Sequence, residues 1–300
     1  MNFGILGCGY SGKVIAKNLV QQGYTGWGTT RDEANFDELS ETGIKPILFD
    51  GFRSTTRLEE CLADTSHLII SIAPPRDENI DEPDMPVDPV LNAFRDVGLH
   101  TLAPKLEWIC YLSTVGVYGN HDGAWIDEKT VINPTSARSR QRVRAESEWI
   151  EFGHTHGLPL AIMRLSGIYG PGRNALLSAH NGKSRRLIKP GQVFNRIHVG
   201  DIAKAVMLAA QEKTSGVFNI TDDMPAPPQD VVTYAHKLLG LEPPAEIDFD
   251  TADLSPMARS FYGENKRVSN LKSRSSLGLV YNWPNFRVSL KTMYDEDCWR

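Results

Sequence analysis

Short apolar runs alternate with stretches of helical periodicity over the first half of the chain. The strand candidates are Phe3–Leu6, Tyr24–Thr30, Ile44–Phe49, His67–Ile72, Glu107–Ser113 and Leu160–Leu165. The helical patterns are clearest at Thr56–Leu62, Val87–Leu102 and Ser139–Phe152. Mostly apolar runs are typical of strands that are buried on both faces. The alternation therefore predicts an α/β protein with a doubly wound parallel sheet, because right-handed crossovers place helices on both faces.

The first strand candidate leads directly into a glycine-rich turn with the spacing G-x-G-x-x-G. The residues of this turn are Gly7, Cys8, Gly9, Tyr10, Ser11 and Gly12. A helical pattern follows at Lys13–Gln22. In a dinucleotide site the first glycine permits the turn, the second lets the backbone approach a pyrophosphate, and the third lets the helix pack closely. We therefore predict nucleotide binding by all six residues, with a ligand-free glycine turn as the alternative.

The pattern changes in the second half of the chain. Gly170–Gly191 is predicted to be a basic loop, whereas Val199–Gln211 is an amphipathic helix whose start we expect Asp201 to cap. Val217–Ile220 is a short strand that could extend the sheet, and Gln229–Leu239 is a helix. We predict a nucleotide-binding domain of residues 1–165 and 195–220. A smaller substrate-binding domain of residues 166–194 and 221–300 then covers the carboxyl ends of the strands, where ligands bind in open α/β sheets.

One connection is unusually rich in proline and acid. Ala73–Pro89 follows the fourth strand candidate and contains five prolines and six acidic residues. It is either a solvated surface loop or a flap over the cofactor end of the sheet. In both cases Ala73 and Pro74 follow the tip of a strand, so we expect them near the cofactor.

Composition narrows the class of protein. The chain has 300 residues and a net charge of −5, which argues against a nucleic-acid-binding protein that relies on bulk positive charge. No apolar run is long enough to span a bilayer, and the first residues resemble a strand rather than a signal peptide. Four cysteines without paired spacing fit a reducing compartment, and no metal-binding motif occurs. We expect a cytoplasmic protein that acts on a small molecule, without nucleic-acid, membrane or metal partners.

Three further motifs resemble a known family. Leu112–Gly119 (LSTVGVYG) is similar to its "SS-x-x-VYG" segment, Arg164–Gly172 (RLSGIYGPG) to "R-x-x-x-x-YGPG", and Arg196–Ala203 (RIHVGDIA) to "hVdDia". With the glycine turn, and in this order, they resemble the extended short-chain dehydrogenase/reductase, or NAD-dependent epimerase/dehydratase, family. The resemblance covers about residues 1–220. It implies a Rossmann-type fold, a nicotinamide cofactor and a small, sugar-like or nucleotide-linked substrate.

The acid/base pair of that family is missing. Its members carry Tyr-x-x-x-Lys on the helix after the fifth strand, usually followed four residues later by a glutamate. Aligning that glutamate with Glu146 puts Arg138 at the tyrosine position and Arg142 at the lysine position. Arginine stays protonated and does not replace lysine conservatively. One Tyr-x-x-x-Lys sequence does occur, at Tyr262–Lys266, but it lies far outside the expected context, and we interpret it as a coincidence. The chain thus resembles atypical members of the family.

Four hydroxyl residues remain as candidates for catalysis. The resemblance puts Ser113 and Thr114 where the family supplies a hydroxyl to the substrate; the alternative is that they cap a buried strand. Tyr118 and Tyr169 follow strand ends, and either could act as a displaced acid if a cation lowered its pKa. Packing alone is the alternative for both tyrosines.

Cationic residues are the candidates for substrate and ribose contacts. Arg138 and Arg142 share one helix face, on which we expect Arg138 to contact substrate and Arg142 to contact the cofactor. Arg164, Arg196 and His198 match positions that resemble substrate- or phosphate-side contacts in sugar-nucleotide epimerases. A buried structural ion pair is an equal alternative for each arginine.

The end of the second strand bears on the choice of cofactor. Thr30 and Arg31 follow the glycine turn at the distance where NAD-preferring sites usually place an acid. An arginine beside a hydroxyl suits the 2′-phosphate of NADP, although Asp32 follows immediately, so NAD stays an alternative. Asp50 ends the third strand and resembles the family aspartate that contacts adenine.

Two functions are compatible with these residues. The first is an NAD(P)-dependent reductase, epimerase or dehydratase, that is, an oxidoreductase or isomerase with an atypical site. The second is a non-catalytic NADP(H) sensor, because binding needs the glycine turn and no acid/base pair. The resemblance also allows a homodimer, although Ser139–Phe152 shows no obvious apolar patch.

Overall fold

The computed structural model describes residues 1–75 and 86–300. Its strands are β1 (Asn2–Leu6), β2 (Thr25–Thr30), β3 (Lys45–Leu48), β4 (His67–Ile70), β5 (Trp108–Thr114), β6 (Trp125–Ile126), β7 (Leu160–Leu165), β8 (Gly167–Tyr169), β9 (Arg186–Ile188), β10 (Arg196–His198), β11 (Gly216–Ile220), β12 (Glu246–Asp248) and β13 (Arg267–Val268). Its α-helices are α1 (Tyr10–Gln21), α2 (Phe36–Glu41), α3 (Thr56–Ala63), α4 (Pro89–Ala93), α5 (Leu99–Leu102), α6 (Ala137–His156), α7 (Ala175–His180), α8 (Val199–Gln211), α9 (Pro228–Leu238), α10 (Pro256–Phe261), α11 (Leu271–Leu277) and α12 (Phe286–Asp295). Short 3₁₀ helices lie at Glu33–Asn35 and Val115–Tyr118.

The central sheet has seven strands in the order β11-β7-β5-β4-β1-β2-β3, and neighbouring strands are parallel. The predicted doubly wound sheet is therefore confirmed, including its extension by Val217–Ile220. The strand order reverses direction at β1, with β2 on one side and β4 on the other. In such sheets the crevice beyond the carboxyl ends of these strands is where ligands bind.

Apolar side chains cover both faces of the sheet. On one face, Ile5 of β1 belongs to a buried cluster with Ile202 of α8. On the other face, Leu6 belongs to a second cluster with Trp149 of α6. Because successive strand residues point to opposite faces, a short apolar strand supplies both cores at once. This explains why the strand candidates lack polar alternation.

β2 contains two glycines, which are uncommon inside a strand, yet the packing of the sheet requires them. A Cβ on Gly26 would lie 2.5 Å from the ring of Phe3, and one on Gly28 would lie 2.7 Å from the Cδ1 of Ile44. Both approaches are too close for any side chain. Gly26 and Gly28 therefore allow neighbouring side chains to pack tightly over the strand.

Other boundaries differ from the sequence prediction. The single helix expected at Val87–Leu102 is wrong: α4 and α5 are two short helices, and the chain turns at Gly98, whose φ is 87°. That left-handed conformation suits glycine and interrupts a continuous helix. Gly170–Gly191, predicted as a loop, contains α7 and β9. Of the predicted connection Ala73–Pro89, residues 76–85 lie outside the described residues.

The last third of the chain forms smaller elements around a separate apolar cluster. Helices α7, α9 and α12 supply it, with Leu176, Val231, Phe286 and Leu290 among its buried side chains. Parallel pairs join β8 to β10, β9 to β12, and β6 to β13. We call α7, α9 and α12 with this cluster the small lobe. The exact domain boundaries proposed from the sequence stay a prediction.

The described cysteines are unpaired. Cys8, Cys61 and Cys110 are buried free thiols, and Cys298 is exposed. Within residues 1–75 and 86–300, none of the helices combines the length and apolar character that crossing a membrane requires.

Candidate functional site

Each glycine of the turn meets a different steric demand. Gly7 has a φ of 89°, and a Cβ there would lie 2.7 Å from the Cγ1 of Ile72. A Cβ on Gly12 would approach the Gly7 carbonyl oxygen at 3.2 Å, where α1 packs against β1. A Cβ on Gly9, by contrast, would have no other described atom within 4 Å. These are the demands expected of a turn whose second glycine faces a ligand.

The start of α1 is suited to bind an anion. Gly9 is the N-cap residue, so no side chain caps the helix, and no acidic residue lies in its first turn. The N–H groups that begin the helix are therefore free for a ligand, and the helix dipole favours negative charge there. The residues present thus fit the pyrophosphate of a dinucleotide cofactor.

The remaining turn residues support this geometry from within. The Gly7 N–H donates to the Thr29 Oγ1 at 2.8 Å, and the Cys8 N–H donates to the Thr29 carbonyl at 2.7 Å. Burial raises the pKa of the Cys8 thiol to about 12, so it stays protonated and apolar in character. Ser11 is also buried. Cys8 and Ser11 therefore contribute through their backbone and packing.

Polar groups at the end of β2 divide into local and exposed ones. The Asp32 carboxylate accepts from the Ala34 N–H at 2.9 Å and caps the 3₁₀ helix there. Thr30 Oγ1 accepts from the Asn35 side chain at 3.2 Å. Arg31 between them is exposed. The Asp32 carboxylate is thus partly neutralised by the backbone N–H group that it caps. The Arg31 side chain, by contrast, faces solvent at the carboxyl end of the sheet.

The candidates after β3 and β4 lie at the same edge. The Asp50 carboxylate accepts from the Phe52 N–H at 2.7 Å and the Arg53 N–H at 3.1 Å, and these hydrogen bonds lower its pKa. Ala73 and Pro74 follow β4, which pairs with β1. Parallel strands bring these residues to the edge at which the glycine turn lies.

A buried polar network occupies the base of the cleft. Arg164 donates to Glu146 through Nη2 at 2.7 Å and through Nε at 3.2 and 3.3 Å. Its Nη1 donates to the Tyr118 hydroxyl at 2.9 Å, and that hydroxyl donates to the Asn219 Oδ1 at 2.8 Å. Ser113 donates to the same Glu146 carboxylate. These five side chains are buried, so the network supports the structural alternative for Ser113, Tyr118 and Arg164.

Thr114 and Arg142 also have protein partners. The Thr114 Oγ1 accepts from the Gly116 N–H at 3.1 Å, although this residue is half-buried and stays near the cleft. Arg142 donates from Nη1 to the Tyr111 hydroxyl at 3.1 Å and to the Leu112 carbonyl at 2.9 Å. It is buried and directed at β5, which argues against the cofactor contact predicted from the sequence. Arg138 lies in the first turn of α6 and is exposed.

A tyrosine links the glycine turn to the opposite side of the cleft. The Tyr10 hydroxyl donates to the Pro171 carbonyl at 3.0 Å. The Arg173 guanidinium lies 5.8 Å from the centre of the Tyr10 ring. Burial raises the pKa of Tyr10, so its phenol remains a donor at neutral pH. The segment after β8 is thereby held against the cofactor turn.

The prediction that Asp201 caps α8 is wrong. His198 is the N-cap residue, and its Nδ1 accepts from the Gly200 N–H at 3.1 Å. Asp201 is buried and accepts from the Asn282 N–H at 2.9 Å and the Trp283 N–H at 3.1 Å. The carboxylate is one turn too late to cap and holds the C-terminal segment instead. Burial lowers the pKa of His198 to about 4, so its ring is neutral at pH 7. The ring centroid lies 3.9 Å from that of Trp283, and the two ring planes are tilted by 31°.

Tyr169 and Arg196 meet at a small cavity in the small lobe. The cavity has a volume of about 150 Å³, and the residues that line it are Tyr169, Ala175, Arg196, Val231, Phe286 and Leu290. Arg196 donates from Nη1 to the Phe194 carbonyl at 3.0 Å and the Ala226 carbonyl at 3.1 Å. Asp222 lies in the electrostatic reach of both Arg196 and Tyr169. Sequence reasoning missed Asp222, although its position after the last strand of the sheet was a usable signal.

The Tyr-x-x-x-Lys sequence of the C-terminal region does not form the family's pair. Helix α10 ends before Tyr262, whose ring stacks on Phe249 with centroids 4.8 Å apart. Lys266 donates to the Gly119 carbonyl at 2.6 Å and pairs with Glu264 at 2.5 Å. The two side chains therefore belong to different packing environments. Among the described residues, no group of three or more His, Cys, Asp and Glu side chains is arranged to hold a metal ion.

The strand order and the glycine turn at its point of reversal define a Rossmann-type α/β protein. The model of the NAD dependent epimerase/dehydratase family matches residues 5–221. The chain belongs to that family.

Individual relatives agree with this assignment. A conserved protein of unknown function from Silicibacter pomeroyi DSS is 42% identical, with a TM-score of 0.85 over 99% of each chain. Protein YeeZ of Escherichia coli K12 is 28% identical over 299 residues, covering 94% of this chain and 96% of YeeZ. A UDP-glucuronic acid 4-epimerase from Bacillus cereus, solved in complex with NAD, is 17% identical with a TM-score of 0.77, covering 98% of this chain and 96% of its own. The last likeness concerns the fold alone.

Proposed function

We propose that this chain binds a nicotinamide dinucleotide, prefers NADP(H), and uses it for hydride transfer to or from a small substrate. The observation that carries the proposal is the glycine turn, in which Gly7 and Gly12 are sterically required while a Cβ on Gly9 would meet no other described atom within 4 Å. The uncapped start of α1 supports the same assignment. The NAD carried by the solved epimerase from Bacillus cereus is in keeping with it.

The residues of this chain have distinct roles in the proposal. The N–H groups at the start of α1 bind the pyrophosphate, and Gly9 allows its close approach. Arg31 binds the 2′-phosphate, and Asp50 contacts the adenine side. When bound, the nicotinamide supplies or accepts a hydride. The chain supplies the orientation of the substrate and a polar edge to the cleft.

Thr114 is the hydroxyl that we propose to contact the substrate. Among the four hydroxyl candidates it is the half-buried one, whereas Ser113, Tyr118 and Tyr169 are buried. Ser113 and Tyr118 are in addition held by the Glu146–Arg164 network. Ser113 and Tyr118 therefore have no role in proton transfer in this proposal.

A second function is favoured by one observation. Arg142, which the sequence alignment predicts at the position of the family's lysine, donates to Tyr111 and to the Leu112 carbonyl of β5. A chain that has given up this residue for packing could retain dinucleotide binding alone. The second proposal is therefore an NADP(H) sensor that turns over no substrate.

The cofactor preference is tested by titrating the protein with NADPH and NADH. We expect tighter binding of NADPH, and we expect Arg31→Ala to weaken NADPH binding about 10- to 100-fold, as loss of a charge-assisted hydrogen bond does. The same variant should change NADH binding little. Arg57→Ala, which removes another exposed arginine at the start of α3, is the matched control and should leave both affinities unchanged. Equal affinities of the wild type for the two cofactors would contradict the preference.

The choice between enzyme and sensor is tested by hydride exchange. NADPH labelled at C4 is incubated with the protein and a panel of carbonyl compounds. Transfer of label above the rate in buffer supports the enzyme. Retained NADPH binding without transfer to any compound supports the sensor.

A further inference from the structure

Arg196 is a cation for which the described structure shows no ion pair. Its Nη1 donates to two backbone carbonyls, while Nε and Nη2 make no described hydrogen bond or ion pair. Burial lowers the pKa of Arg196, although a guanidinium remains charged. Arg196 is half-buried, and a cation that is partly removed from water is normally paired with an anion, which offsets the cost of desolvation. Arg196 therefore presents unused donors, and it lines the 150 Å³ cavity.

The Tyr169 hydroxyl, which lines the same cavity as the guanidinium, is also without a geometric hydrogen-bond partner among the described residues. The Tyr169 hydroxyl is buried, and the Ser289 hydroxyl, one of the groups that set the pKa of Tyr169, lies beside it. Neither oxygen has a hydrogen-bond partner in the described residues. Buried hydroxyls without partners are uncommon in folded proteins. The cavity thus combines the Arg196 guanidinium with the Tyr169 hydroxyl.

The nearest carboxyl group does not neutralise Arg196. Asp222 accepts from the Met224 N–H through Oδ1 at 3.1 Å, and its buried Oδ2 has no partner. Burial raises the pKa of Asp222 to about 8, so it is mainly protonated at neutral pH. The opposite walls of the cavity are apolar, formed by Val231, Phe286 and Leu290.

We propose that this cavity binds a compact organic monocarboxylate, whose carboxylate contacts Arg196 and the Tyr169 hydroxyl and whose apolar body packs against Phe286 and Leu290. A cavity of this size in a protein holds one molecule of about the size of benzene. A short aliphatic acid or a single-ring acid such as benzoate meets that limit. The inference rests on the proposed function, which it deepens by naming the class of substrate.

Size and charge argue against a nucleotide sugar in this cavity. Sites for larger ligands usually have volumes of about 300 to 1,000 Å³. A phosphate dianion would also need more donors than one guanidinium and one tyrosine hydroxyl beside apolar walls. The cavity therefore fits one negative charge carried by a small apolar body.

The test is calorimetric titration of the full-length protein with benzoate, butyrate, benzyl alcohol, phenyl phosphate and UDP. We expect benzoate or butyrate to bind at least tenfold more tightly than the other three probes. Arg196→Met should weaken carboxylate binding about 10- to 100-fold, and Tyr169→Phe should weaken it about two- to tenfold. Arg186→Met is the matched control, because Arg186 pairs with Glu246 outside the cavity and should change nothing.

A second variant keeps the test independent of folding. Val231→Phe fills the cavity without touching a charge and should abolish carboxylate binding, while NADPH affinity reports that the fold is intact. Absence of carboxylate binding to the wild type, or unchanged binding in Arg196→Met, overturns the proposal. NADPH binding without carboxylate binding refutes only this inference. Carboxylate binding without NADPH binding refutes only the proposed function.

Discussion

Replacing Gly9 with alanine should separate cofactor binding from folding. The φ of Gly9 is −81°, which alanine adopts freely, and the added Cβ would meet no described atom within 4 Å. We therefore expect the free energy of unfolding to change by no more than about 0.5 kcal/mol, as at most surface sites. The methyl group nevertheless points where the pyrophosphate must approach the backbone. Losing one hydrogen bond to a charged group, about 1.5 to 3 kcal/mol, predicts NADPH binding weaker by about 10- to 150-fold.

The other two glycines supply the contrast. Gly7→Ala forces a left-handed φ on alanine, about 1 to 2 kcal/mol, and places its Cβ 2.7 Å from Ile72, which adds about 1 to 3 kcal/mol. Its unfolding free energy should fall by about 2 to 5 kcal/mol. Gly12→Ala should lie between, because its closest contacts are 3.2 and 3.3 Å.

Urea unfolding and fluorescence titration with NADPH measure the two effects separately. The expected order of destabilisation is Gly7→Ala, Gly12→Ala, then Gly9→Ala, while Gly9→Ala should be stable and binding-deficient. Wild-type NADPH affinity in a folded Gly9→Ala variant would refute the placement of the cofactor over this turn. Destabilisation of Gly9→Ala equal to that of Gly7→Ala would refute the steric argument.

Three further variants test the polar interior. Glu146→Gln leaves Arg164 buried without its carboxylate and should destabilise the protein by about 3 to 5 kcal/mol in urea unfolding, whereas Asp295→Asn, at an exposed ion pair, should have no measurable effect. Folding raises the pKa of Asp222, so its contribution to stability is largest at low pH and is lost as the pH rises from about 4 to about 8. Asp222→Asn should therefore flatten this part of the pH profile of the unfolding free energy. The same variant should be more stable than the wild type at pH 8. Arg142→Met should cost about 1 to 3 kcal/mol of stability by leaving two buried acceptors unpaired, with NADPH affinity unchanged within about threefold; a large loss of affinity instead would restore a cofactor role for this arginine.

The sheet could be predicted from the sequence because its signals are local. A run such as His67–Ile72 is apolar on both faces wherever it lies in a parallel sheet, and β4 occupies it. The glycine turn is likewise local, since its steric demands arise within β1, α1 and the neighbouring strand. The glycines of β2, which are uncommon inside a strand, are explained by the side chains of Phe3 and Ile44 that pack on them.

Side-chain direction could not be predicted, because it depends on partners distant in sequence. Asp201 has the spacing of a helix cap, yet its carboxylate binds backbone N–H groups of Asn282 and Trp283. Arg142 shares a helix face with Arg138, yet it turns toward Tyr111 of β5. Periodicity assigns a residue to a face of a helix. The partner that a long, flexible side chain contacts depends on the tertiary structure, which periodicity does not reveal.

Helix α6 contains residues that hold the fold together and residues at the positions where we expect the family's catalytic pair. Glu146 still holds Arg164 and Ser113, and that network joins α6, β5 and β7 inside the protein. One turn earlier, Arg142, which we predict to take the family's lysine position, is an internal contact with β5, and we predict that Arg138 takes the tyrosine position. A network that fastens three elements is under constraint from folding, whereas a proton-transfer pair is constrained only by a reaction. Family membership therefore transfers the scaffold and the dinucleotide turn to this chain, and the reaction has to be argued from Thr114 and from the unpaired cation at Arg196.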